Sequence, residues 1–159
     1  PRHATVPFCL AAPLIGIAER ALQILVQSMR ETPAGYRRSV ADGAIHLRVA
    51  ESAAEIDAAR VLMLRDCREA MESVRQGLQM STEERARNRR DIGYVASQCT
   101  RALDRLYAAA GGRSIFLASE AQRLLRDIHA AGQHMALSWD VAGSVYGRVA
   151  CGLPPGLDL

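Results

Sequence analysis

Aromatic residues are scarce in this chain, 4% of its 159 residues, and no alternating β-branched run survives inspection. That removes the usual material of strands. Alanine, leucine, arginine and glutamate dominate instead, and these are good helix formers. The four cysteines, Cys9, Cys67, Cys99 and Cys151, form no CxxC pair and stand at no Cys/His ligand spacing. Their separation argues against a metal site, and they read as ordinary buried thiols in a reducing, cytoplasmic compartment. No uninterrupted apolar run approaches the roughly 20 residues of a membrane span. Glu19 and Arg20 break the apolar opening segment, which also lacks the basic start and cleavage site of a signal peptide. Charge of one sign is missing as well, since 20 basic residues face 17 acidic ones for a net charge of +3. A nucleic-acid binder would carry a one-sided basic stripe. The only cluster, Arg85, Arg87, Arg89 and Arg90, reads as the solvated or interface-facing start of a helix.

What is present is helical periodicity. A hydrophobic share of 49% and a charged share of 23% suit one soluble domain with a real core. The spacing predicts four long helices, at about 8–29, 43–79, 82–110 and 120–150, folded as an all-α antiparallel bundle. In the first, Leu14, Ile17, Ala18, Ala21, Leu25 and Met29 share a face, and Pro13 should kink the helix or mark its start. In the second, Val49, Ala53, Ile56, the stem of Arg60, Leu64, Cys67, Met71 and Val74 follow a near-heptad spacing. Ser81 and Glu84 form a capping box for the third, whose stripe runs from Ile92 to Ala110 and stops at Gly111-Gly112. Ser119 and Gln122 form a second box, and the fourth stripe runs through Leu124, Ile128, Met135, Trp139 and Tyr146 to Val149.

Two segments carry more than periodicity: Arg89-Arg90-Asp91-Ile92-Gly93-Tyr94 through Ala110-Gly111-Gly112-Arg113-Ser114, and Arg123-Leu124-Leu125-Arg126-Asp127-Ile128-His129-Ala130-Ala131-Gly132-Gln133-His134. A helix ending in Ala-Gly-Gly, a short loop and an R-x-x-R-D helix resembles the C-terminal domain of the acyl-CoA dehydrogenase superfamily, from about Phe8 onward. The dehydrogenases of that superfamily carry a Glu-Gly-Thr after the Arg-Asp pair, whose glutamate abstracts the substrate proton. Here Gln133-His134-Met135-Ala136 holds that place. The pattern is closer to the two-component aromatic hydroxylases and the dibenzothiophene-desulfurising oxygenases of the same fold.

The resemblance implies a monooxygenase that receives reduced FMN, with FAD as the alternative, from a separate NAD(P)H-dependent flavin reductase. It implies hydroxylation of a small aromatic or heteroatom substrate through a flavin C4a-hydroperoxide, in a homotetramer whose core is this bundle. Neither a membrane nor nucleic acid is an expected partner. Complete members carry an N-terminal helical domain and a β-barrel before this domain, so the chain is expected to be part of a longer enzyme, inactive alone, with residues 1–8 as the connection. A non-catalytic oligomerisation module and an acyl-CoA dehydrogenase relative with a relocated base are the alternative readings.

His134 is the expected catalytic residue, because an imidazole changes protonation near neutral pH and the resemblance puts it at the reactive edge of the flavin. Asp127, seven residues earlier, would share its helix face. The pair Arg126 and Asp127 reads equally as a flavin contact or as an ion-pair lock, with Arg123 and Asp127 at i, i+4 and Asp127 near a helix N-terminus. Gly111, Gly112, Arg113 and Ser114 read either as a plain cap or as a close approach to flavin from a neighbouring subunit. Phe8, and with less weight Arg2, would border the substrate. His129 and His134 lie roughly 140° apart on a helix and would share no metal.

Overall fold

Ser81 starts the helix around which the others are arranged. Its hydroxyl accepts the Glu84 N–H at 3.1 Å, and the Glu84 carboxylate accepts the Ser81 N–H at 2.7 Å. This is the reciprocal cap expected from the sequence. The structure, a computed structural model, describes residues 6–31 and 43–156. Among them are five α-helices and no strand: α1 (Val6–Glu31), α2 (Ala44–Arg75), α3 (Thr82–Ala109), α4 (Glu120–Gly132) and α5 (Trp139–Ala150). Two 3-10 turns, Gly112–Ile115 and Met135–Leu137, join the last three. Arg2 lies outside the described residues.

All four other helices pack on α3. Its buried residues fill more than one face: Ile92, Val95, Cys99, Leu103 and Leu106 on the expected stripe, and Ala86, Asp91, Gly93 and Gln98 beside it. A helix enclosed in this way needs small residues at its crossings. A Cβ added at Gly93 would stand 2.7 Å from the Ala142 Cβ of α5, next to the Tyr94–Trp139 ring pair with centroids 5.8 Å apart. Glycine is therefore required at 93 by close approach.

Several expectations need correction. α1 runs through Pro13, which lies on its exposed side and does not start it. By length and composition alone, α1 is apolar enough to cross a membrane, with a mean hydropathy of 1.6 over an 18-residue window within Phe8–Glu31. Ala11, Leu14, Ile15, Ala18 and Leu25 of that helix are nonetheless buried in the core. On α2 the heptad reading succeeds at Ile56 and fails further on, where Leu64, Met71 and Val74 are exposed and Asp66 and Ala70 are buried. An ideal helix drifts about 20° per heptad, so a seven-residue pattern leaves the buried face over a helix this long. Arg60 is exposed and pairs with Glu19. α2 ends at Arg75 rather than near residue 79, where Gly77 takes a φ of +68°. Ser119 precedes α4 but its side chain makes no cap bond; Glu120 pairs with Arg20 of α1 instead, at 2.8 and 2.9 Å. Of the cysteines only Cys99 is fully buried, and burial pushes its thiol up to about 12, while Cys9 and Cys151 are exposed. Most consequentially, the expected fourth helix is two helices, broken between Gly132 and Trp139.

A polar network fixes the N-terminal part of α3 against α2 and α5. The Arg65 guanidinium donates to Asp66 at 2.7 Å and to Asp91 at 2.5 Å, and Arg90 donates to Asp91 at 2.6 Å. The same Arg90 guanidinium lies 4.3 Å from the ring centre of Tyr146, within cation–π range. Both carboxyls are buried, and Asp66 Oδ2 has no partner among the described residues. Burial is the main force that raises Asp66 from 3.8 to about 6; the Arg65 hydrogen bond opposes it and the Asp91 charge adds to it.

Two predictions arise from this packing. Gly93→Ala should lower stability by about 1–3 kcal/mol through overpacking at the α3–α5 crossing, read as a loss in urea midpoint; an unchanged midpoint would show that the helices have room there. The second concerns pH. A carboxyl whose folded pKa is raised contributes its stability fully below the unfolded value and loses it as pH rises through the folded one. Unfolding free energy of Asp66→Asn relative to wild type should therefore improve between about pH 4 and about pH 7. A difference that stays constant or worsens over that window contradicts the assignment.

Candidate functional site

The break between α4 and α5 is where the chain presents chemistry. α4 closes with the Gln133 and His134 N–H groups bonded to the Ala130 and Ala131 carbonyls at 3.3 and 3.2 Å. His134 then turns extended, at φ −65° and ψ 129°. The following turn buries Leu137 in the core and delivers Ser138 as the start of α5. No proline forces this break, and glycine at 132 only weakens the helix there.

Arg89 of α3 spans the break. Its guanidinium donates to the Ala136 carbonyl at 2.8 Å and the Met135 carbonyl at 3.4 Å. Among the described residues no carboxylate pairs with it, and its Nε is buried without a partner. Burial holds its pKa below the usual guanidinium value.

His134 is exposed, and its Nδ1 accepts the Ala136 N–H at 3.1 Å. An Nδ1 that accepts leaves the proton of the neutral ring on Nε2. The ring therefore offers an N–H donor away from the turn. A base acting at Nε2 would need the opposite tautomer and would lose the Ala136 bond. This arrangement suits the stabilisation of negative charge on an oxygen, the role of an oxyanion donor.

Beside the break, a cleft of about 240 Å3 opens between α3 and the turn, bordered by Ser97, Thr100, Gln133 and Trp139. His129 borders the same cleft and is held by Asp104 of α3 at 2.8 Å.

The other expected site residues lie elsewhere. Asp127 does not share a helix face with His134, because α4 ends at Gly132. Arg126 and Asp127 are exposed, on the side of α4 away from buried Leu124 and Ile128. Asp127 stands in the middle of a short helix, beyond the first turn where the macrodipole acts, and Arg123 pairs with Glu120 at 3.5 Å rather than with Asp127. Phe8 is in the core. Gly111 takes a φ of +73°, the left-handed side that favours glycine. A Cβ at Gly111 or Gly112 would meet nothing, so this backbone is open to a neighbour. Arg113 is exposed, whereas the Ser114 hydroxyl is spent on the Gly111 carbonyl at 2.7 Å. From Arg89 to the end of α3 is about 30 Å at 1.5 Å per residue. Within one chain, Gly111–Ser114 and His134 thus lie toward opposite ends of α3.

The acyl-CoA dehydrogenase C-terminal domain profile matches residues 8–139. The chain belongs to that family. Among curated relatives, this acyl-CoA dehydrogenase C-terminal domain is 34% identical to the oxygenase component of FADH2-dependent resorcinol hydroxylase from Rhizobium sp., over 94% of this chain and 39% of that protein. It is 33% identical to the oxygenase component of p-hydroxyphenylacetate 3-hydroxylase from Acinetobacter baumannii, over 89% of this chain and 34% of that one. Among solved structures it superposes on XiaF from Streptomyces sp., in complex with FADH2 and glycerol, with a TM-score of 0.89 and 26% identity over 98% of this chain and 40% of that one. The HsaA monooxygenase from M. tuberculosis gives 0.88 and 28% over 97% and 41%. The domain thus spans about two-fifths of the length of these relatives, or somewhat less.

Sequence reasoning missed Arg89 as a site residue. It opens one of the two segments that carry the resemblance, but within the cluster of Arg85, Arg87, Arg89 and Arg90 it reads as the solvated or interface-facing start of a helix. The distinguishing fact is its contact with residues 46 and 47 positions away.

Proposed function

We propose that this domain belongs to the oxygenase component of a two-component flavin-dependent monooxygenase that hydroxylates a small aromatic substrate. The observation that carries the proposal is the exposed Nε2–H of His134, fixed by the bond between Nδ1 and the Ala136 N–H. The residues fit a flavin edge: a donor without a protein partner among the described residues, a cleft bordered by Gln133, Leu137 and Ser138 of the same segment, and no carboxylate from Gln133 to Ser138 to serve a dehydrogenase. Reduced flavin, when bound, supplies the electrons and the oxygen-activating ring for inserting one atom of O2. His134 then holds a proton at Nε2 toward the developing oxygen anion, while Leu137 and Arg89 keep its turn in place. Two similar proteins are described with reduced FAD, so FAD is the first form to assay and FMN the second.

The proposal extends to the assembly. The words "oxygenase component" in relatives' names support a separate flavin reductase. The outer side of α2 leaves Leu47, Val61, Leu64, Met71 and Val74 exposed, which supports a homotetramer with this bundle at its core. Four free thiols suit a cytoplasmic setting. The open backbone at Gly111 and Gly112 and the exposed Arg113 support a flavin contact from a neighbouring subunit, and the exposure of Arg126 and Asp127 supports them as further candidates.

In the full-length oxygenase supplied with its reductase, His134→Ala should cut coupled hydroxylation about 10²- to 10³-fold, the loss typical of one oxyanion donor. Hydrogen peroxide should replace hydroxylated product, with oligomer size by light scattering unchanged. Wild-type coupling in that variant would overturn the reading.

A further inference from the structure

Arg89 is a half-buried cation whose only hydrogen bonds among the described residues go to two successive carbonyls of one turn. Leaving a guanidinium partly desolvated without a carboxylate is costly, and what it orders is the turn that carries His134. The relevant peptide unit joins Met135 to Ala136. Its carbonyl accepts from Arg89 at 3.4 Å and from the Ser138 N–H at 3.2 Å. Its N–H donates to His134 Nδ1 at 3.1 Å. A cation at the carbonyl end of a peptide polarises the N–H at the other end, and hydrogen bonds in such a chain reinforce one another. The second guanidinium nitrogen holds the next carbonyl, Ala136, at 2.8 Å, which stops the turn from rotating.

We infer that Arg89 is a positioning residue that selects the Nε2–H tautomer of His134 through the Met135–Ala136 peptide. The inference rests on the reading of His134 as an oxygen-facing donor, but it concerns a property of this chain that can be measured without flavin or substrate. Lysine at 89 would keep the charge while losing the planar fork that reaches both carbonyls. Methionine would keep length and bulk while removing charge and donors.

The test is imidazole nitrogen NMR on the 159-residue chain labelled with 15N-histidine; it contains four histidines, and His134→Gln assigns the signal. In the wild type the His134 Nδ1 and Nε2 resonances should be widely split, as a single Nε2–H tautomer requires. Arg89→Met should draw them together through a tautomer mixture, and Arg89→Lys should give an intermediate splitting. A folded Arg89→Met protein, by circular dichroism, with the wild-type splitting overturns the inference, as does a wild type protonated on Nδ1. Should Arg89→Met fail to fold, the Lys variant decides alone: an unchanged splitting overturns the inference and a reduced one supports it. In the full-length oxygenase, Arg89→Met should lower kcat about tenfold with KM within about twofold, and should add little to His134→Ala. The two readings fail separately. Wild-type coupling in His134→Ala removes the proposed function, whereas lost coupling in His134→Ala with a tautomer insensitive to residue 89 removes only the role of Arg89.

Discussion

Enclosure of α3 by four other helices is the constraint on which the rest of the molecule depends. A helix buried on several faces needs small residues where its neighbours cross, and Gly93 meets that need against Ala142. It also carries polar groups inside, and several of them find partners while Asn88 Oδ1 and Gln98 Oε1 have none among the described residues. Asp91 finds two arginines, from α2 and from the adjacent turn of α3, and one of these lies against Tyr146 of α5. Gln98 bonds the Tyr94 hydroxyl at 2.8 Å, and Tyr94 in turn meets Trp139. These contacts fix the N-terminal part of α3, and with it the base from which Arg89 reaches the α4–α5 break.

That break is the link between packing and chemistry. Continuing α4 straight into α5 would keep the helical hydrogen bonds but would leave Leu137 out of the core and Arg89 without its carbonyls. The observed turn exchanges regular backbone bonds for burial of Leu137, two bonds from Arg89 and one from the Ala136 N–H to the His134 ring. The same exchange that ends the helix orients the imidazole. Its donor is thereby set by a peptide group, a support shorter and stiffer than a long side chain would provide.

How much of this was legible in the sequence depended on how far apart the interacting residues lie. The Ser81–Glu84 cap and the stripe from Ile92 to Leu106 are local or periodic signals, and both were read correctly. The heptad on α2 was read locally and then extended too far, because seven residues do not make whole turns. The α4–α5 break has no proline and only a single glycine to announce it; it is decided by a contact with Arg89 across 46 and 47 positions. His134 stood out through resemblance to a family, whereas its tautomer depends on a backbone N–H two residues away and needed coordinates. Phe8 was assigned to a substrate border through its place in a family, and within this domain it lies in the core.

We propose that this domain contributes a fixed Nε2–H donor to the oxygen-reacting edge of a flavin. A crystal structure of the full-length oxygenase with reduced flavin, grown without oxygen, tests it most directly. The reactive edge of the ring should face His134 Nε2 of the same chain, with Nδ1 still bonded to the Ala136 N–H and Arg89 still on the Met135 and Ala136 carbonyls. A flavin whose reactive edge lies remote from the α4–α5 break, with His134 turned to solvent, would contradict it.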